Sequence, residues 1–309
     1  MTRTVNGERL FDVAAKEVLR KQLWQVADYC GVQILTYAIL ANHFHVLVRV
    51  PLKTGLPDSE LLRRYAVLYP KPTRYQAARL DVIRQQLAVN GREGVAWRKR
   101  QLALMGDISQ FMKLVKQRFS VWFNKSHDRF GTLWAERFKS VLAEPDGRVL
   151  RTMAAYVDLN CVRAGLALDP KDYRFCGYAE AVAGSSLSQR GLMSVFNTAS
   201  WPETQAGYRQ ILFGTTARPQ EARGRVSDEE IKKVLEAGGK LPLATVLRCR
   251  VRYFTDGAVL GHRAFVARHL AVYRRRAGKY RNLSPYALPS LADWAGLTTL
   301  RKPRRSGFR

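Results

Sequence analysis

Two histidines in a short apolar run have the type and spacing needed for metal chemistry. His43 and His45 flank Phe44 within residues 42–50, a run that is typical of a β-strand. Side chains alternate between the two faces of a strand, so both imidazoles project from one face and Phe44 projects from the other. Two imidazoles on one rigid face can bind a metal ion. Most such pairs on apolar strands are structural, so the pair is informative only together with other residues.

A tyrosine and an asparagine further along the chain could complete a site that cuts a phosphodiester. Tyr156 and Asn160 lie four positions apart in a predicted helix over 148–163, so they share one helical face. A phenol can attack phosphorus once it is activated, and Lys139 or Arg163 could assist that step. Each residue also has a plainer interpretation. A helical tyrosine often packs in a core, and an asparagine near a helix end often caps it.

The residue types favour a particular class of metal. The neutral nitrogens of His43 and His45 with an amide oxygen of Asn160 leave room for water and phosphate oxygens, which suits Mg²⁺ or Mn²⁺. A phosphotyrosine product would retain the energy of the broken bond, so rejoining would need no nucleotide cofactor. The sequence contains neither a G-x-x-x-x-G-K loop nor a G-x-G-x-x-G loop.

The composition indicates a polyanionic partner. The chain has 309 residues and a formal net charge of +27, a surplus that attracts nucleic acid or anionic lipid. No apolar stretch reaches the roughly 18 residues of a membrane span, and the N-terminus lacks the apolar core of a secretory signal. We therefore expect a cytoplasmic, nucleoid-associated protein without a membrane partner. The cysteines match no zinc module and are expected to be buried thiols: Cys30, Cys161, Cys176 and Cys249.

The elements that must position these residues alternate between helix and strand. Apolar spacing predicts helices over residues 12–29 and 107–123, and strands over residues 32–40 and 137–143. With the histidine strand and one more strand at the front, the order becomes βαββαβ, followed by the tyrosine helix. The predicted fold class is therefore α+β.

Further regions surround this core, which spans residues 1–180. Residues 51–106 combine prolines with a basic helical pattern and are predicted to form a helical insertion. Serines and a change in composition mark residues 181–225 as a linker or loose region. Residues 226–309 are predicted to be a basic, mostly helical C-terminal region, with one helix over 261–276.

Several segments around the histidines and the tyrosine match the pattern of one family. They are NHFHVLV at 42–48, GTLW at 131–134 with RFKS at 137–140, YVDLN at 156–160 with VRAGL at 162–166, and DYRF at 172–175 with Tyr178. Over roughly residues 3–180 the chain resembles the REP-associated tyrosine transposases, relatives of the single-tyrosine HUH transposases of small insertion sequences. The combination is specific, whereas the paired histidines alone are not.

The resemblance implies a fold, a reaction and a substrate. The fold would be a ferredoxin-like antiparallel sheet, the HUH endonuclease core, with the histidines on a central strand. Tyr156 would form a covalent 5′-phosphotyrosine with single-stranded DNA, and His43, His45 and Asn160 would bind the metal. The substrates would be hairpin-forming strands such as repetitive palindromes, read through hairpin shape and unpaired bases. Relatives work as monomers or homodimers, and the sequence leaves that choice open.

Basic residues in three places are the predicted contacts to nucleic acid. They lie in the insertion, beside the proposed site and at the start of the basic tail: Arg98, Lys99, Arg100, Arg137, Lys139, Arg163, Arg274, Arg275 and Arg276. Two other functions stay open on the sequence alone. A non-catalytic DNA- or RNA-binding regulator derived from such a transposase would retain the positive charge but would not cleave DNA. A ribosome- or RNA-associated basic protein would explain the charge but not the histidines with the tyrosine.

Overall fold

The computed structural model describes residues 1–52, 55–70, 79–213, 259–277, 284–288 and 296–300. This part of the chain contains both α-helices and short β-strands. In chain order the α-helices are α1 (Val13–Cys30), α2 (Asp58–Leu68), α3 (Leu80–Val89), α4 (Arg92–Leu104), α5 (Ile108–Ser126), α6 (Gly147–Asp158), α7 (Asn160–Arg163), α8 (Gly177–Val182), α9 (Ser186–Phe196), α10 (Trp201–Phe213) and α11 (Arg263–Ala277). The strands are β1 (Thr2–Arg3), β2 (Gln33–Ile39), β3 (His43–Arg49), β4 (Leu142–Ala143), β5 (Val259–His262), β6 (Tyr286–Ala287) and β7 (Leu297–Thr299). This mixture confirms the predicted α+β class.

The strands form two sheets. The first has the order β1-β3-β2, and the second has the order β4-β5-β7-β6. β2 and β3 form a hairpin with a tight connection, in which the Leu40 N–H donates to the His43 carbonyl at 2.8 Å. In the second sheet β4 runs parallel to β5, while β7 is antiparallel to both β5 and β6.

The N-terminal residues supply the front strand that the predicted element order lacked. β1 is short, and its backbone is hydrogen-bonded on a second side by a later segment. The Ala135 N–H donates to the Arg3 carbonyl at 3.0 Å, and the Lys139 N–H donates to the Met1 carbonyl at 2.9 Å. The chain after α5 therefore runs alongside the first residues of the protein.

The predicted strand over 137–143 is wrong for most of its length, because only its last two residues form β4. Arg137 and Lys139 are exposed, and this part of the segment is not assigned to a sheet. The strand begins at Leu142, where Val259 of β5 provides a parallel partner. Strand-forming residues form a strand only where a neighbouring strand accepts and donates backbone hydrogen bonds, so propensity alone overestimated the length of this strand.

The chain divides into two compact units. Unit 1 comprises Met1–Thr2, Leu35–Leu47 and Arg137–Arg309, and unit 2 comprises Arg3–Ile34 and Val48–Glu136. None of the described helices combines the length and apolarity needed to cross a membrane.

Unit 2 is built on packed helices. α1 packs against α5 and α2, and α3 packs against α4. The Asp12 side chain caps α1 by accepting from the Ala15 N–H, and Gly31 ends the helix in the left-handed conformation at φ 65°. The helix predicted over 12–29 is thereby confirmed. The predicted insertion, 51–106, contains α2, α3 and α4 in the described residues.

Unit 1 surrounds α6 with further helices. α6 packs against α9 and α10, which lie in the region predicted as a linker or loose segment over 181–225. The Ser185 side chain caps α9, so one of the serines that suggested a loose region begins a helix. Leu192 and Tyr208 are fully buried. Residues 214–225 lie outside the described part of the chain.

The C-terminal part of unit 1 combines α11 with the second sheet. α11 confirms the helix predicted over 261–276. Its apolar side chains contribute to a small core of Val259, Phe265, Val266, Leu270 and Leu300. The remainder of the predicted C-terminal region over 226–309 is described only in part.

Candidate functional site

The paired histidines lie on β3 as the sequence predicted. Their ring centroids are 5.2 Å apart with an angle of 73° between the ring planes. Phe44, between them, is fully buried, and His45 is only 5% exposed, whereas His43 is half-buried. The strand therefore holds the two imidazoles side by side, with the ring of His43 nearer to solvent.

The neighbouring Asn42 side chain is hydrogen-bonded to one of these imidazoles. The Nδ1 atom of His43 lies 2.6 Å from the Oδ1 atom of Asn42. In the tautomer that carries its proton on Nδ1, His43 donates to this oxygen and its Nε2 atom is the nitrogen available to a metal. Orientation of a ligating histidine by a hydrogen bond to its other nitrogen is a common feature of metal sites.

Tyr156 projects from α6 onto the histidines. Its ring centroid lies 5.7 Å from that of His45, and the ring planes are inclined at 79°. The tyrosine is 6% exposed. The phenol and the imidazole are therefore in edge-to-face contact, although the two residues are far apart in sequence.

A buried carboxylate holds the helix that carries Tyr156. Asp158 accepts a hydrogen bond from the Thr36 hydroxyl of β2 at 2.8 Å and another from the Tyr208 hydroxyl of α10 at 2.5 Å. The Tyr178 N–H, in α8, also donates to it at 3.3 Å. Because β2 is the hairpin partner of the histidine strand, these bonds fix the tyrosine helix relative to the imidazoles.

Burial changes the acidity of this carboxyl group. Asp158 is fully buried, and desolvation raises its pKa from 3.8 to about 7, against the opposing effect of its hydrogen bonds from Tyr208, Thr36 and the Tyr178 backbone. The group therefore changes its charge near neutral pH. Sequence analysis missed Asp158, because nothing in its spacing distinguishes a buried aspartate from an exposed one.

The tyrosine helix is interrupted at Leu159, so the single helix predicted over 148–163 is wrong. α6 ends at Asp158 and α7 begins at Asn160. The Nδ2 atom of Asn160 donates to the carbonyls of Tyr156 at 2.8 Å and Val157 at 3.1 Å. At the break, backbone carbonyls therefore accept hydrogen bonds from a side chain, as is typical where asparagine competes with the hydrogen bonds of a helix.

Arg163 contacts the tyrosine twice. Its guanidinium donates to the Tyr156 carbonyl at 2.6 Å, and its central carbon lies 4.3 Å from the centroid of the phenol ring. A cation over the face of an aromatic ring is attracted by the ring, and it stabilises negative charge on the phenol oxygen. Of the two cations predicted to assist the phenol, Lys139 and Arg163, the structure brings Arg163 to the ring.

The spacing of the two imidazole rings is compatible with a shared metal ion. Two rings that bind one ion through nitrogens at about 2 Å have centroids roughly 5 Å apart, and the observed separation is 5.2 Å. Asn160 uses its amide nitrogen within the helix, so its oxygen is the atom suited to act as a ligand. Among the described residues, no group of three or more histidine, cysteine, aspartate or glutamate side chains could hold a metal. A metal here would therefore depend on His43, His45 and an amide oxygen.

The basic residues predicted to contact nucleic acid in the insertion lie on α4 of unit 2. Arg98 is bound by the Asp58 carboxylate through two hydrogen bonds of 2.6 and 2.7 Å, so its guanidinium is held by the protein itself. Lys99 and Arg100 are exposed. Two of these three predicted contacts are therefore presented to solvent.

The remaining predicted contacts belong to unit 1. Arg137 and Lys139 are exposed on the segment before β4, and Arg275 is exposed on α11. The side chains of Arg274 and Arg276 lie outside the described part of the structure.

The described cysteines are Cys30, Cys161 and Cys176, and all three are buried free thiols, as predicted. Cys249 lies outside the described residues. Burial raises the pKa of Cys30 to about 12, so this thiol is protonated at neutral pH.

No family model, curated protein or solved structure matches this chain.

Proposed function

We propose that this protein is a metal-dependent single-stranded DNA endonuclease and strand transferase of the tyrosine HUH type. The observation that carries the proposal is the ring contact between His45 and Tyr156, 5.7 Å between centroids, within one compact unit. A phenol nucleophile and a two-imidazole platform in contact are the parts that phosphodiester cleavage by tyrosine requires. The resemblance to the REP-associated tyrosine transposases is consistent with this chemistry.

In the proposed reaction the phenol of Tyr156 loses its proton to water and its oxygen bonds to phosphorus. The bond from phosphorus to the 3′ oxygen breaks, and that oxygen takes up a proton to become a free 3′-hydroxyl. The 5′ phosphate stays on the tyrosine. Arg163 stabilises the developing phenolate from the face of the ring. His43, His45 and Asn160 would hold Mg²⁺ or Mn²⁺, which would supply Lewis acidity at a non-bridging phosphate oxygen.

The strand arrangement supports a ferredoxin-like HUH core. The order β1-β3-β2 is the order of the first three strands of a ferredoxin-like sheet. Residues 135–139 donate hydrogen bonds to residues 1–3 on the side of β1 where the fourth strand of such a sheet would lie, although they are not assigned as a strand. β3, the histidine strand, lies between two other strands. This position agrees with the central strand that the family resemblance implies.

The charge supports a nucleic-acid partner. A formal net charge of +27 attracts a polyphosphate backbone, and Lys99, Arg100, Arg137 and Arg275 are exposed. We infer that the substrate is a hairpin-forming single strand, such as a palindromic repeat. Such a partner places the protein in the cytoplasm, at the nucleoid.

A covalent adduct would test the proposal. Synthetic single-stranded hairpins carrying palindromes from the source genome are incubated with the full chain and Mn²⁺, and protein mass is measured after denaturation. We expect an adduct at Tyr156, none with Tyr156→Phe, and an undiminished adduct with Tyr69→Phe, which removes a hydroxyl from unit 2. If no hairpin yields an adduct on the parent chain, the catalytic proposal is wrong.

A non-catalytic, nucleic-acid-binding regulator is the second candidate. It is favoured by the hydrogen bonds in which Asn160 and Arg163 cap the Tyr156 carbonyl, a structural role that needs no metal. Binding of hairpin DNA or RNA that depends on salt but not on Mn²⁺, without any adduct, would identify this function.

A further inference from the structure

A phenylalanine in the loop after α5 is almost completely exposed. Phe130 has 89% of its surface accessible, although Leu133, three residues later, is buried at 1%. Burial of a phenylalanine ring stabilises the folded state of a protein, and the exposed ring of Phe130 does not contribute that stabilisation. The ring is therefore available to a partner.

The loop that carries this ring is held by its own hydrogen bonds. The Arg129 N–H donates to the Asn124 carbonyl at 2.9 Å, and the Arg129 guanidinium donates to the Thr132 carbonyl at 3.1 Å. The Asn124 amide donates to the Gly131 carbonyl at 3.0 Å, and Gly131 adopts a φ of 85°, which glycine tolerates at no steric cost. These bonds fix the backbone on both sides of Phe130. The ring is thus presented from an ordered turn.

The residues on either side of Phe130 in the sequence are polar and include two cations. Lys125 at the end of α5 is exposed and Arg129 is half-buried, while Asp128 is the acidic residue of the turn. The other exposed neighbours are Ser126, His127, Gly131 and Thr132. An isolated aromatic ring among polar groups is not the contiguous apolar patch that a protein interface presents. It is the arrangement with which proteins stack an unpaired base between contacts to phosphates.

We propose that Phe130 is a stacking platform for an unpaired base of single-stranded DNA, with Lys125 and Arg129 contacting the adjoining phosphates. The proposal rests on the nucleic-acid partner proposed above and assigns it a second contact point, in unit 2. Stacking is tolerant of base identity, because every base has an aromatic face. The loop would therefore strengthen binding to unpaired DNA without selecting a sequence.

The test compares four forms of the full chain: the parent, Phe130→Ala, Phe130→Leu and Phe130→Trp. Each is titrated with a hairpin that has single-stranded flanks and with a blunt hairpin closed by a minimal loop. On the flanked hairpin we expect Phe130→Ala to weaken binding roughly 5- to 100-fold, the loss of one stacked base. Phe130→Leu should lose most of the same affinity, since it keeps apolar surface but has no aromatic face, and Phe130→Trp should retain it. Binding of the blunt hairpin should change little.

Two further variants separate stacking from charge and from unspecific loss of apolar surface. Lys125→Ala should reduce the slope of log affinity against log salt by about one phosphate contact, while Phe130→Ala should leave that slope unchanged. Val121→Ala removes another exposed apolar side chain, 65% accessible on α5, and should bind as the parent does.

Equal binding by the parent and Phe130→Ala, or by the parent and Phe130→Leu, would overturn the stacking proposal while leaving the proposed nucleic-acid function intact. Equal losses on the flanked and blunt hairpins would also overturn it. Failure of the parent itself to bind either hairpin would refute both proposals.

Discussion

The ring of Tyr156 lies against the ring of His45, with 5.7 Å between centroids and 79° between planes. The contact joins a helix to a strand that is more than a hundred residues earlier in the chain. It is maintained by the hydrogen bond that Asp158, two residues beyond the tyrosine, accepts from the Thr36 hydroxyl on the strand paired with the histidine strand. The proposed nucleophile and the proposed metal-binding histidines are therefore positioned by one local framework.

Removal of the cation over the phenol should slow the proposed reaction. We expect Arg163→Met to reduce the rate of adduct formation roughly 2- to 30-fold, the range that a cation–π contact of about 0.5–2 kcal/mol implies. Raising the pH should restore part of the rate, because the phenolate then needs less stabilisation. Single-turnover adduct formation at several pH values measures both effects.

Arg151 offers a matched control for that variant. It lies on α6, the helix of Tyr156, with its guanidinium 4.8 Å from the centroid of the Phe196 ring, and it donates to the Phe196 carbonyl at 3.2 Å. Arg151→Met removes a similar contact away from the phenol and should leave the pH dependence of the rate as in the parent. Identical pH profiles for both variants would show that Arg163 acts only through stability.

In the proposed metal site, the Asn42 side chain should contribute to metal affinity without being a ligand. Its hydrogen bond to His43 Nδ1 orients the imidazole, and loss of such a bond to a ligating histidine weakens metal binding by about 10- to 100-fold. We therefore expect Asn42→Ala to bind Mn²⁺ less tightly by calorimetry, while Asn42→Asp, which keeps an acceptor oxygen, retains the affinity. Unchanged Mn²⁺ binding by Asn42→Ala would exclude this role.

The buried Asp158 should make stability depend on pH in a defined direction. Its pKa is about 7 in the folded protein and 3.8 when unperturbed. Between these values the folded state keeps the proton and the unfolded state releases it, so this group lowers the free energy of unfolding as the pH rises. The decrease should end near pH 7. Asp158→Asn cannot ionise and should lack this contribution.

Urea unfolding of the parent and Asp158→Asn at about pH 5 and about pH 8 tests that direction. The parent should lose more stability than the variant over this interval, by more than about 1 kcal/mol. Asp158→Ala leaves the Thr36 and Tyr208 hydroxyls without their acceptor and should cost about 3–5 kcal/mol. Equal pH dependence in the parent and Asp158→Asn would contradict the raised pKa.

Gly177 should tolerate no side chain. A Cβ atom there would lie 2.3 Å from the Thr36 hydroxyl oxygen and 3.0 Å from backbone atoms of Thr36 and Tyr37. Gly177→Ala should therefore lower the free energy of unfolding by about 1–3 kcal/mol, measured by urea unfolding. The control is Gly147→Ala in α6, where a Cβ would meet atoms no closer than 3.8 Å. Equal stability of the two variants would show that β2 can move away from α8.

The elements that carry the site could be predicted because their apolar spacing is regular. The helix predicted over 12–29 is α1 (Val13–Cys30), and the strand over 42–50 is β3 (His43–Arg49). The positions of Tyr156 on a helix and of the histidines on a strand followed from the same periodicity. Their contact did not follow from periodicity, since spacing along a chain says nothing about which elements pack together.

Three features escaped prediction for physical reasons that are visible in the structure. The break at Leu159 depends on side-chain donors of Asn160 and Arg163 reaching the Tyr156 carbonyl, which propensity does not reveal. The helices after residue 185 were hidden by serines, because a serine that caps a helix and a serine in a loose segment look alike in sequence. The hydrogen bonds of Asp158 come from three separate elements and are visible only once those elements are assembled.

The histidine strand and the tyrosine helix belong to one copy of the chain and lie in the same compact unit. One chain thus contains every side chain of the proposed centre, and the proposed chemistry would need no residue from a second copy. Complementation in trans should fail: a mixture of chains with His45→Ala and chains with Tyr156→Phe would contain no intact centre.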